Sequence, residues 1–146
     1  MDQFLSILLI IFSFFNPFGH KEEPSIIKAS GQDQGIAQAR MRASSGLVYF
    51  IHSFQNQLKG APLEYSIKID FVRDTLHEHM WARVEGYKGG VFSARLVDDG
   101  IYITHLKTDD RVQVKEKDVE DWIIHHVDTG EYEGNFSAKA LEKFKE

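Results

Sequence analysis

The hydrophobic pattern changes its period once, and that change constrains the fold more than any other feature of the chain. Ile36, Ala39, Arg40, Ala43, Leu47, Phe50, Ile51, Phe54 and Leu58 recur largely at steps of three and four. This is the apolar stripe of an amphipathic helix, with Arg40 at its edge. Ser30 and Asp33 are spaced like a capping pair ahead of it, and Lys59-Gly60-Ala61-Pro62 ends it. From Tyr65 the step falls to two. Tyr65, Ile67, Ile69 and Phe71 alternate with Ser66, Lys68 and Asp70, as a half-buried strand requires.

Shorter runs follow. From His77 to Glu85, Met80, Ala82 and Val84 share one face, and His77, His79, Trp81 and Arg83 share the other. Phe92, Ala94 and Leu96 mark a third strand, Ile101 to Thr104 a short fourth and Arg111 to Lys115 a fifth. Lys117 to Trp122 reads as one helical turn, and Ile123 to Val127 returns as a strand. Ser137 to Phe144 carries Leu141 and Phe144 at helical spacing, with Ser137 placed as an N-cap. One long helix followed by short strands and tight turns predicts an α+β fold. Its expected form is a long amphipathic helix packed on a curved, partly barrel-like antiparallel sheet.

Ahead of this domain lies a hydrophobic run: Phe4, Leu5, Ile7, Leu8, Leu9, Ile10, Ile11, Phe12, Phe14 and Phe15. Asn16-Pro17 and Gly19 break it. As a helix it is roughly 20–25 Å long, slightly short for a bilayer core of about 30 Å. Met1-Asp2-Gln3 has no basic residue and no A-x-A cleavage pattern follows, so a membrane anchor fits better than an export signal. His20-Lys21 after the run places the domain on the cytoplasmic side of the inner membrane. The alternatives are export to the periplasm and a buried apolar arm. The expected organisation is an anchor over residues 1–19, a linker over 20–31 and the α+β domain over 32–146, about 120 residues and enough for one core.

A net charge of −5, with lysines and arginines interspersed among acids, argues against nucleic acid as partner. There is no cysteine, which excludes disulfides and thiolate metal sites. No G-x-S-x-G motif and no Gly-rich phosphate loop is present, so neither a nucleophile elbow nor a cofactor is indicated. His77 and His79 point the same way from one strand, yet they hold a metal only if a third ligand arrives from elsewhere. The plainer reading is two hydrogen-bonded histidines, and no metal is expected. Trp81 and Trp122, the only tryptophans, read first as core aromatics. The functional alternative is a contact surface of Trp81 with His79 and Arg83. Asp121 either orients His79 or caps the turn before Trp122, and the cap is favoured. Glu78, His79 and Asp121 are the one constellation with acid/base character.

Several of these landmarks together resemble a known pattern. Glu78-His79-Met80-Trp81, Asp110-Arg111-Val112-Gln113-Val114 and Val119-Glu120-Asp121-Trp122 follow in an order and spacing similar to the bacterial YegJ-like family, catalogued as domain of unknown function 2314. The resemblance runs from Gly35 to Phe136. Asp109 stands where that pattern has glycine, and Val97-Asp98-Asp99-Gly100 replaces its Asn-x-Pro. The resemblance implies the fold and no agreed activity. The expectation is a membrane-tethered, non-catalytic module that binds a protein partner through Glu78, His79, Trp81, Arg83, Asp121 and Trp122. An exported binding or stress protein is one alternative. A small hydrolase using His79 with Glu78 or Asp121 is the other.

Overall fold

A computed structural model describes residues 7–12, 25–30 and 34–142. Helix α1 spans Gln34–Asn56 and buries Ile36, Ala39, Ala43, Leu47 and Phe50, the inner line of the predicted stripe. Leu58 lies past the helix end and is 80% exposed, so the stripe stops earlier than its spacing suggested. Of the expected capping pair, Ser30 ends a strand and Asp33 lies outside the described residues.

Six strands follow the order of the chain. They are β3 (Leu63–Arg73), β4 (Leu76–Lys88), β5 (Val91–Leu96), β6 (Arg111–Lys115), β7 (Val119–His126) and β8 (Tyr132–Gly134). They pair antiparallel in the order β6-β5-β4-β3-β7-β8. The architecture is thus α+β, one long helix on an antiparallel sheet. The expected barrel-like closure does not occur: among the described residues, β6 pairs β5 alone and β8 pairs β7 alone.

Two further expectations are corrected. Ile101 to Thr104 is a bent loop rather than a strand. The helical turn placed at Lys117 to Trp122 is a single 3-10 turn at Glu116–Asp118, and β7 begins already at Val119.

The hydrophobic N-terminal helix is not formed where that segment is described. Ile7–Phe12 is an extended strand, β1, paired with β2 (Ser25–Ser30) and running parallel to the start of β4. An unbroken apolar run has no period to separate helix from strand. Three isoleucines and a phenylalanine in six residues favour the pleated conformation. The rest of the expected anchor (Phe4, Leu5, Phe14 and Phe15) lies outside the described residues. Among the described residues, no helix is long and apolar enough to cross a membrane.

The core forms where α1 lies on the sheet. Ala43, Leu47 and Phe50 meet Ile67, Ile69, Met80, Ala82, Phe92, Trp122 and Ile124. Phe50 is the hub, with its ring centroid 5.4 Å from that of Trp122, 5.6 Å from Tyr65 and 6.0 Å from Phe92. Gly46 makes the helix-to-sheet approach possible: a Cβ there would stand 2.8 Å from Cζ2 of Trp122. The indole Nε1 then donates to the Ala43 carbonyl at 3.0 Å, satisfying a polar atom that burial would otherwise strand. A short helix, α2 (Phe136–Leu141), packs beside α1 and buries Leu141.

Candidate functional site

Strand alternation separates the residues singled out in the sequence. Glu78 lies on the face of β4 that carries Met80 and Ala82, and it is buried. Its carboxylate accepts backbone N–H groups from Ile101, Tyr102 (3.3 Å) and Ile103 (2.9 Å). It therefore folds the 101–103 loop back onto β4 and is unavailable to His79. Trp81 is only 3% exposed, so it belongs to the interior and not to a contact surface. Arg83 is exposed beyond it. Trp122 is the core indole described above.

Asp121 is buried and does not touch His79. One carboxylate oxygen accepts from Trp122 N (2.8 Å) and Phe136 N (3.2 Å), and the other from Ser137 N at 2.9 Å. It caps the entry to α2, so neither the orientation of His79 nor the favoured cap of the turn before Trp122 is its role. The predicted six residues thus divide into core, clamp, cap and surface, and of them only His79 sits in a polar cluster with acid/base groups at hand.

That cluster is assembled by register. Lys68 faces Trp81, Asp70 faces His79 and Val72 faces His77, so Lys68, Asp70, His77 and His79 share one face of β3 and β4. On the other side of β3, Lys68 pairs with Asp121 and Ile69 with Val119, which leaves Glu120 as an extra residue in β7. Such a bulge re-aims the side chain it carries. Glu120 reaches His79 Nδ1 with Oε2 and takes Arg40 from α1 on Oε1 at 3.0 Å. Asp70 holds His77 Nδ1 on Oδ2 at 2.8 Å, and its Oδ1 lies 3.7 Å from His79 Nε2. His79, 1% exposed, therefore stands between two carboxylates. One donor atom from each of Asp70, His79 and Glu120 falls within 4.8 Å of the others.

Lys68 completes the polar layer. It is 2% exposed, donates from Nζ to Ser137 Oγ at 3.0 Å and lies 5.5 Å from the centre of the Trp81 ring. Burial pushes its ammonium down to about 7, against the pull of Asp121 and Glu120. For Glu120, burial acts to raise the pKa. The hydrogen bond and charge of His79, with Arg40 and Lys68, outweigh it and hold the carboxyl below its ordinary value. A cavity of about 20 Å³ beside Lys68, His79 and Glu120 has room for one water. His125 and His126 play no part: the first is buried 3.7 Å from Glu64, and the second pairs with Glu133 at 3.0 Å.

Beside the cluster runs a groove of about 570 Å³. Its walls are α1 (Arg40, Leu47), the end of β3 (Ile69 to Val72), β6 (Val112 to Val114) and the chain from Glu116 to Glu120. Asp70 and Glu120 open into it, linking groove and cluster. Nothing in the period-two pattern announced either feature. The usable signal was the surplus residue between Val119 and Trp122, which shows only once β7 is paired with β3.

A family model described as "Uncharacterized protein conserved in bacteria (DUF2314)" matches residues 33–144. No curated protein and no solved structure matches the chain.

Proposed function

Because the chain belongs to the bacterial DUF2314 family, whose description assigns no reaction, we propose from its geometry that it is a non-catalytic interaction module that takes an extended, basic segment of a protein partner along β6. The observation that carries this reading is the groove beside an open sheet edge. β6 has no second neighbour among the described residues, so its outward N–H and C=O groups are a template for an added strand. The groove supplies apolar contacts from Leu47, Phe71, Val72, Val112 and Val119. Its carboxylates (Asp70, Glu116, Asp118 and Glu120) outnumber its cations, Arg40 and Lys117, which favours a segment carrying lysine or arginine.

A tether to the inner membrane, with the domain facing the cytoplasm, is part of the proposal; it draws on the apolar run from Phe4 to Phe15 and requires Ile7–Phe12 to leave its pairing with β2 and β4. Fractionation with mass spectrometry of the mature N-terminus tests it, since an exported chain would have lost that run.

The binding reading is tested with peptides selected from a random display library on the full chain, followed by amide shift mapping. The expected peptides are extended and basic, and they move amides of residues 69–72 and 111–120. Val72 is 58% exposed, so Val72→Lys leaves the fold intact while placing a like charge in the groove. It should weaken binding by about tenfold or more, the order of a like-charge contact. Peptides that map elsewhere, or bind Val72→Lys equally well, sink the proposal.

A further inference from the structure

We propose that Asp70, His79 and Glu120 form a binding site for one divalent first-row transition metal ion, with zinc as its probe. The proposal stands apart from strand addition at β6 and rests on the cluster alone. The donor set is one imidazole and two carboxylates, a combination that suits zinc, iron or manganese and has no soft sulfur to attract copper. The spacing fits. Donor atoms of a tetrahedral site with bonds of about 2.0–2.1 Å lie roughly 3.3 Å apart. Asp70 Oδ1 and His79 Nε2 are 3.7 Å apart, and one donor atom from each of the three residues lies within 4.8 Å of the others. Asp70 stands at Nε2 and Glu120 at Nδ1 of the ring, so closing the set on one nitrogen exchanges the hydrogen bond of the other carboxylate for a bond to the ion.

Two further observations point the same way. Oδ1 of Asp70 is a buried carboxylate oxygen with no hydrogen-bond donor, a costly arrangement that a cation relieves. The candidate ligands are also held from outside, as metal ligands are. His77 fixes Asp70 through Oδ2, and Arg40 fixes Glu120 through Oε1, so the opposite oxygen of each carboxylate faces His79. Both carboxylates border the groove, which gives an ion a path in and waters to fill the remaining positions.

The test uses the full chain stripped with a chelator and titrated calorimetrically with zinc. One equivalent should bind, and the melting temperature should rise with zinc concentration. Asp70→Asn and Glu120→Gln keep shape and remove charge. Each should weaken binding by about 10–100-fold, the range seen when groups that make or support metal ligation are lost. His126→Ala, at the exposed pair with Glu133, should leave binding unchanged. Should either variant fail to fold, cobalt added to the unaltered protein gives a second readout: the ring signals of His77 and His79 should broaden before that of His126. No binding of zinc, cobalt or manganese overturns the proposal. So does binding that survives both substitutions, or broadening that begins at His126.

Discussion

The two faces of strands β3, β4 and β7 are both largely buried, yet their chemistry differs. On one, Ile67, Ile69, Met80, Ala82 and Trp122 meet the underside of α1. On the other, Trp81 and Ile123 are buried together with Ser66, Lys68, His79 and Asp121, beside Asp70 and Glu120. The first face gains free energy from every apolar group removed from water. The second must recover the desolvation of several charges through hydrogen bonds and ion pairs, which buried ionic groups seldom do with a surplus. The same strands thus divide their work: the helix-covered face supplies stability, and the polar face holds chemistry at a cost in stability.

That contrast can be broken by substitution. Trp122→Ala removes the indole on which α1 rests and should cost about 3–5 kcal/mol, read as a fall in the urea midpoint. A loss near zero would mean the core does not depend on that contact. Glu78 is the exception, a charge on the apolar side. Glu78→Ala strands the N–H groups of residues 101–103 and should cost about 3 kcal/mol, with faster amide exchange at those residues alone.

Gly46→Ala sets overpacking against Trp122, about 1–3 kcal/mol, against a helix-propensity gain of about 1 kcal/mol. A net loss of about 1 kcal/mol is expected. In the Trp122→Ala background the sign should reverse, because the atom it strikes is gone, and a double-mutant cycle measures that coupling. Smallest is Lys68→Met on the polar face, which loses the hydrogen bond to Ser137 from an ammonium whose charge burial already disfavours, and should cost about 1 kcal/mol. A loss as large as that of Trp122→Ala would erase the distinction between the faces.

Much of the fold was legible because it depends on local periodicity. The stripe from Ile36 to Phe54 and the alternation from Tyr65 to Phe71 report α1 and β3 directly. The core role of Trp122 followed from residue type alone. What escaped notice depends on pairing. His79 and Glu120 are 41 residues apart, and their meeting requires a bulge that alternation cannot show. Asp121 was the alternative partner for His79 and Glu120 was overlooked because Lys117 to Trp122 read as a helical turn; in the strand that forms instead, the extra residue gives that place to Glu120. The 101–103 loop looked like a strand because Ile101 and Ile103 alternate with polar residues. Its N–H groups are taken by one carboxylate instead of a neighbouring strand.

The bulge also bears on how this site can be gained or lost over evolutionary time. Lys68↔Asp121 and Ile69↔Val119 are adjacent rungs, so excising position 120 would leave every other pairing of β7 as it stands. A single codon's deletion would remove one of the histidine's two carboxylates while sparing the strand register, and its reinsertion would restore it. Within this sheet, chemistry at the histidine and the integrity of the scaffold are inherited as separable traits.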